Sequence, residues 1–123
     1  MNPLNVVLLQ GDPKNVRLLS ASLCHHFAGI YTATSVPDAR QKVVKHRAQL
    51  VIVDMEVATM SDIEILHRDF PSIGIVCTHR LADEEMWTAA LDAGAADVCP
   101  STDTRSIVLA ALHSMNSPQG AAA

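Results

Sequence analysis

Short apolar runs alternate with longer amphipathic stretches along the chain, one pair roughly every 20 residues, a rhythm expected of βα units. Val6–Leu9, Ile30–Thr34, Leu50–Val53, Ile73–Cys77 and Asp97–Cys99 read as strands, the fifth being the weakest. The stretches between them repeat their apolar positions at helical spacing. Asp12 can cap a first helix and Pro13 can open it, with Val16, Leu19, Leu23 and Phe27 on its stripe and Gly29 closing it. Pro37–His46 predicts a polar helix that buries Ala39, Val43 and Val44. Ser61–Asp69 carries Ile63, Ile65 and Leu66 and stops before Pro71, while Asp83–Ala93 is stopped by Gly94. Asp103 caps a last helix whose inward stripe is Ile107, Val108, Ala111, Leu112 and Met115.

Five such units with right-handed crossovers imply an α/β protein of one domain. The expected architecture is a three-layer α/β/α sandwich around a five-stranded parallel sheet in the order 2-1-3-4-5, the flavodoxin-like fold. In that order the first and third strands are neighbours. The tip Gln10-Gly11-Asp12-Pro13 then shares a pocket with Asp54, which ends the run Leu50-Val51-Ile52-Val53. The domain is expected over 1–116, with 117–123 as a tail or the start of a linker, because Asn116 to Ala123 shows no periodicity.

Composition narrows the function. Of the 123 residues 49% are hydrophobic but only 3% aromatic, so the core must be aliphatic. A net charge of −4 argues against a nucleic-acid surface, which needs clustered Lys and Arg. Cys24, Cys77 and Cys99 are odd in number and lack ligand spacing, which suits a reducing compartment. His25, His26, His46, His67, His79 and His113 show no metal-ligand spacing either. No run approaches the roughly 20 apolar residues of a membrane span, and the N-terminus lacks the basic region of a signal peptide. The expectation is a soluble, cytoplasmic protein that binds neither membrane nor nucleic acid.

Three segments carry a family likeness: Leu50 through Asp54 to Leu66, with Met60 and Glu64-Ile65-Leu66; Thr78 at the end of the fourth strand; and Ala90-Leu91-Asp92-Ala93-Gly94-Ala95-Ala96-Asp97. In these, and over roughly Asn5 to Met115, the chain resembles the receiver domains of two-component response regulators, including the small chemotaxis regulator. The resemblance implies that Asp54 is the phosphoacceptor and Thr78 the switch hydroxyl. The family's magnesium-holding acidic pair falls on Gln10 and Gly11. Its charge-neutralising lysine falls on Ser101, with Thr102 at the following proline, and its switch aromatic on Val98. Val57-Ala58 stands where an apolar residue and proline are usual. Trp87, Leu91 and Val98 fall on the face of helix four, strand five and helix five that such domains use for dimerisation or output.

The departures matter because phosphoryl transfer depends on positioning and charge neutralisation, much of it by the metal. Mg²⁺ prefers an oxygen octahedron with one or two carboxylates. Gln10 offers an amide and Gly11 nothing, leaving Asp12, Asp54 and Glu56 as a weak magnesium set; no other cofactor is expected. Arg80 or His79 is expected to lean over the pocket and pair with Asp54, a fixed cation in place of metal and lysine.

The leading expectation is therefore an atypical or pseudo-receiver, not an enzyme. It would act by contact with a sensor kinase, an output protein or domain, or a second copy through helix four, strand five and helix five. The alternative is a receiver phosphorylated on Asp54, with weak magnesium support from Asp12 and Glu56. A flavodoxin-like ligand-binding domain is disfavoured. Its first βα loop lacks the glycines and hydroxyls that cradle phosphate, and few aromatics are present to sandwich a flavin.

Overall fold

The computed structural model describes residues 4–81 and 83–116, with Met115 and Asn116 described by backbone alone. The elements, in chain order, are β1 (Asn5–Leu9), α1 (Pro13–Leu23), β2 (Gly29–Ala33), α2 (Val36–His46) and β3 (Leu50–Asp54). They continue with α3 (Met60–Asp69), β4 (Gly74–His79), α4 (Glu84–Ala93), β5 (Asp97–Pro100) and α5 (Thr104–Asn116). The strands pair in parallel in the order β2-β1-β3-β4-β5, the doubly wound sheet expected from the alternation. The expected tail, 117–123, lies outside the described residues, as does the side chain of Met115.

Alternation of side chains along each strand divides the core into two layers. Val7, Leu9, Val51, Val53, Ile75 and Cys77 pack toward α2, α3 and α4, with Ala39, Val43, Ile63, Leu66, Ala90 and Ala93. Val6, Leu8, Leu50, Ile52, Val76 and Cys99 pack toward α1 and α5, with Leu19, Leu23, Ile107, Ala110 and Ala111. All five residues of β3 are buried because helices cover the central strand on both faces.

The helix ends follow local chemistry. Asp12 caps α1 by accepting from Lys14 N at 2.9 Å, and Thr59 with Asp62 forms a reciprocal capping box on α3. Asp83 caps α4, and Gly94 closes it in the left-handed region at φ 115°. Asp103 holds Ser106 at the start of α5, as its position predicts.

Three local expectations are corrected. Helix α1 ends at Leu23 rather than running to Gly29. Cys24 N closes on Ser20 O, and both His26 N and Phe27 N turn back to Leu23 O. Phe27 therefore enters the core from a turn, and Gly29 opens β2. A Cβ on Gly29 would lie 2.6 Å from Asn5 Oδ1, so glycine is there for close approach rather than for helix termination. Val44 is 66% exposed, although it was expected inside. The buried face of α2 is set by Ala39 and Val43 at i, i+4, and Val44 is rotated a further 100° away. Strand β4 begins at Gly74 and runs through Thr78 to His79, one residue beyond the expected hydroxyl terminus.

Candidate functional site

The site forms where strand order reverses, between β1 and β3, at the carboxyl ends of the strands. Parallel pairing sets Leu9 beside Val53, so Gln10 and Gly11 emerge next to Asp54, and Asp54 itself pairs with Thr78 of β4. Thr78 in turn pairs with Cys99 and His79 with Pro100, which brings Ser101 to the same rim. Asp54, Gln10, Thr78 and Ser101 are all buried.

Every polar group at the base is engaged within the chain except one. Asp54 Oδ2 accepts the Gly11 N–H at 2.9 Å, and Oδ1 accepts the Glu56 N–H at 2.9 Å. The Gln10 amide faces the Thr78 hydroxyl, with Nε2 donating at 3.2 Å and Oε1 lying 3.4 Å from Oγ1. Ser101 Oγ is the exception: it is buried and finds no partner among the described residues. Above this base is an open pocket of about 380 Å³, walled by Gly11, Asp12, Asn15, Glu56, Val57, Arg80 and Thr102.

Arg80 reaches the pocket but not the acid expected of it. Its Nε donates to Glu56 Oε1 at 2.7 Å, a pair on the exposed rim, while His79 Nδ1 accepts from Leu81 N. The expected Arg80–Asp54 or His79–Asp54 pairing is therefore replaced by an Arg80–Glu56 clasp. The reason is competition: Asp54 is buried and already holds two backbone donors, whereas Glu56 reaches the rim where the long guanidinium can meet it.

Each acid of the expected magnesium set already has a partner within the chain. Asp12 spends its carboxylate on capping α1, Glu56 faces Arg80, and both Asp54 oxygens face backbone N–H groups. Among the described residues no three His, Cys, Asp or Glu side chains are grouped as metal ligands. A Cβ at Gly11 would meet Val57 Cγ2 at 3.1 Å and Asp54 Oδ2 at 3.3 Å, so a ligating side chain there needs both neighbours to give by a few tenths of an ångström. The complementarity of Gly11 and Val57 was not anticipated. Its signal lies in two departures at once, a missing acid and an aliphatic residue in the loop that fills the gap.

On the opposite side of β4, Trp87 is 46% exposed and donates Nε1 to Asp97 Oδ1 at 3.3 Å, with Leu91 half-buried beside it. Met86 turns into the core, not outward. Val98 corrects an expectation: it is buried in the layer with Ala90 and Ala93, because a short aliphatic side chain does not reach past α4 to the surface. Cys77 and Cys99 are buried, and Cys24 is exposed. No helix among the described residues is long and apolar enough to cross a membrane.

No family model and no curated protein sequence matches the chain. Solved structures do. A response regulator from Thermotoga maritima superposes with a TM-score of 0.84 at 14% identity, over 94% of this chain and 100% of that one. The BeF3-activated N-terminal receiver domain of Klebsiella pneumoniae RstA gives 0.75 at 22% identity, over 89% and 95%. The RcsB response regulator of Salmonella typhimurium gives 0.80 at 18% identity over 94% of this chain, which spans only 60% of that longer protein. The strand order, the covered central strand and these superpositions together identify the fold of this chain as that of response-regulator receiver domains.

Proposed function

We propose that this chain is an atypical receiver domain in two-component or phosphorelay signalling, and that it works by protein–protein contact without a phosphorylation cycle. The observation that carries this reading is the closure of the acid: both oxygens of Asp54 accept backbone N–H bonds, from Gly11 and Glu56. An incoming phosphoryl group would meet an acid whose two oxygens are each already hydrogen-bonded and so less nucleophilic. It would then meet no grouped metal ligands and, at Ser101, a neutral hydroxyl in place of a cation. The domain is a signalling module rather than an enzyme. Its partners are a sensor kinase, an output protein or domain, or a second copy, met through Trp87, Leu91 and their surroundings on α4, β5 and α5.

The second reading, phosphorylation of Asp54, draws on the register that sets Asp54 beside Thr78. Incubating the protein with a small phosphodonor and Mg²⁺, then weighing it intact, separates the two. Unchanged mass supports the atypical reading, and a phosphate-sized adduct supports the other.

A further inference from the structure

The two lateral edges of the sandwich carry opposite charge. Helices α2 and α4 pack on the same face of the sheet, but α2 lies over the β2–β1 edge and α4 over the β5 edge. Residues 36–49 hold four of the chain's nine Lys and Arg against a single carboxylate, Asp38. Residues 81–97 hold five of its thirteen Asp and Glu and no Lys or Arg.

Internal pairing does not cancel this asymmetry. Lys42 binds Asp38 and Arg40 binds Asp69, which leaves Lys45 and Arg47 exposed with no ion pair among the described residues. At the other edge Glu84, Glu85 and Asp92 are likewise exposed and make no ion pair there.

Each edge also offers apolar surface. Val44 stands between two shallow grooves beside Phe70, one of about 390 Å³ lined by Arg40 and Lys45, the other of about 430 Å³ reaching Arg47. On the acidic edge Leu81 is 74% exposed and Trp87 46%. An exposed indole flanked by carboxylates complements an apolar groove flanked by cations.

We propose that this chain associates with itself head to tail, the α4 edge of one copy seated on the α2 edge of the next. Charge selects this arrangement over a two-fold dimer built on either edge alone. A symmetric contact through α4 would set Glu84, Glu85 and Asp92 against their own copies, and one through α2 would do the same with Lys45 and Arg47. The head-to-tail contact uses different patches on the two copies, so each copy keeps a free edge and growth continues into chains or closed rings. This inference is independent of whether Asp54 takes a phosphoryl group.

Sedimentation of the full chain tests it. At low salt the average mass should climb with concentration, and in about 1 M salt, where the screening length is about 3 Å, it should fall back to monomer. Lys45→Glu with Arg47→Glu removes the basic edge, and Glu84→Gln, Glu85→Gln and Trp87→Ala together remove the acidic one, with Glu85→Gln, Asp92→Asn and Leu81→Ala as a second variant of that edge. Each variant alone should be monomeric. Mixed in equal amounts, one basic-edge and one acidic-edge variant should give a species of twice the monomer mass and nothing larger, because only one compatible contact remains. A wild-type monomer at every concentration, variants that associate as the wild type does, or a mixture that stays monomeric would each overturn the proposal.

Discussion

The Gln10 amide and the Thr78 hydroxyl meet 3.2 Å apart under the pocket, and neither residue is more than 8% exposed. A neutral amide thus occupies the hydroxyl that, in the family this chain resembles, follows the phosphoryl group. Thr78→Val leaves a buried amide unpaired and should cost about 1–3 kcal/mol in urea unfolding. Gln10→Leu should cost a comparable amount by stranding the hydroxyl. The double variant should recover part of the loss, giving a coupling of about 0.5–3 kcal/mol, whereas strictly additive losses would show that the contact is incidental.

Gly11 and Val57 should behave as a matched pair. Gly11→Asp places a side chain against Val57 Cγ2 and a second carboxylate against Asp54, so it should destabilise by about 1–3 kcal/mol. Adding Val57→Ala restores the room. In thermal unfolding, Mg²⁺ should then raise the midpoint of the double variant while leaving the wild type unmoved. An equal response in both would mean that the donor set of the wild type already suffices.

The thiols should separate cleanly. Burial pushes the Cys77 thiol up to about 12 and, with Asp97 and Asp103 nearby, the Cys99 thiol up to about 11, from an ordinary 9.0. A thiol reagent should therefore label Cys24 alone in the native protein and all three cysteines after unfolding. Above pH 9 the unfolded chain releases these protons before the native one does, so stability should decline from pH 9 up to about 11 for Cys99 and about 12 for Cys77. Replacing both buried cysteines by alanine should flatten that decline.

In acid the ion pairs beside α2 and α3 set the trend. Hydrogen bonds from Arg40 and Arg68 hold Asp69 below the ordinary 3.8, and one from Lys42, with Thr34 N, does the same for Asp38. Their contribution is present above pH 3.8 and is lost as pH falls through the depressed native values. Both pairs are exposed to solvent, so the effect should be small and should shrink further in salt. Asp69→Asn should flatten the urea midpoint against pH below pH 4, and an unchanged slope would exclude Asp69 as a contributor.

The sequence made the sheet legible because β3 and its neighbours are uninterrupted apolar runs that only a two-sided burial explains. The convergence of Gln10, Gly11, Asp54, Thr78 and Ser101 followed from topology once strand order was known. Side-chain choice on the rim was not legible. Arg80, just past the end of β4, had two acids to choose from, and backbone donors two residues and forty-three residues from Asp54 decided which one it met. Val44 was misplaced because one step on a helix turns a side chain by 100°, and an apolar residue type does not say which of two adjacent positions faces inward.

The acid at the tip of β3 has both oxygens held by backbone N–H groups, and the proposal is that it takes no phosphoryl group. The most direct test of that proposal is a time course of intact mass for the wild type and for Asp54→Asn, each held with excess acyl-phosphate donor and Mg²⁺. The account predicts two superimposable series with no gain in mass. A phosphate-sized gain that accumulates on the wild type and is missing from Asp54→Asn would contradict it.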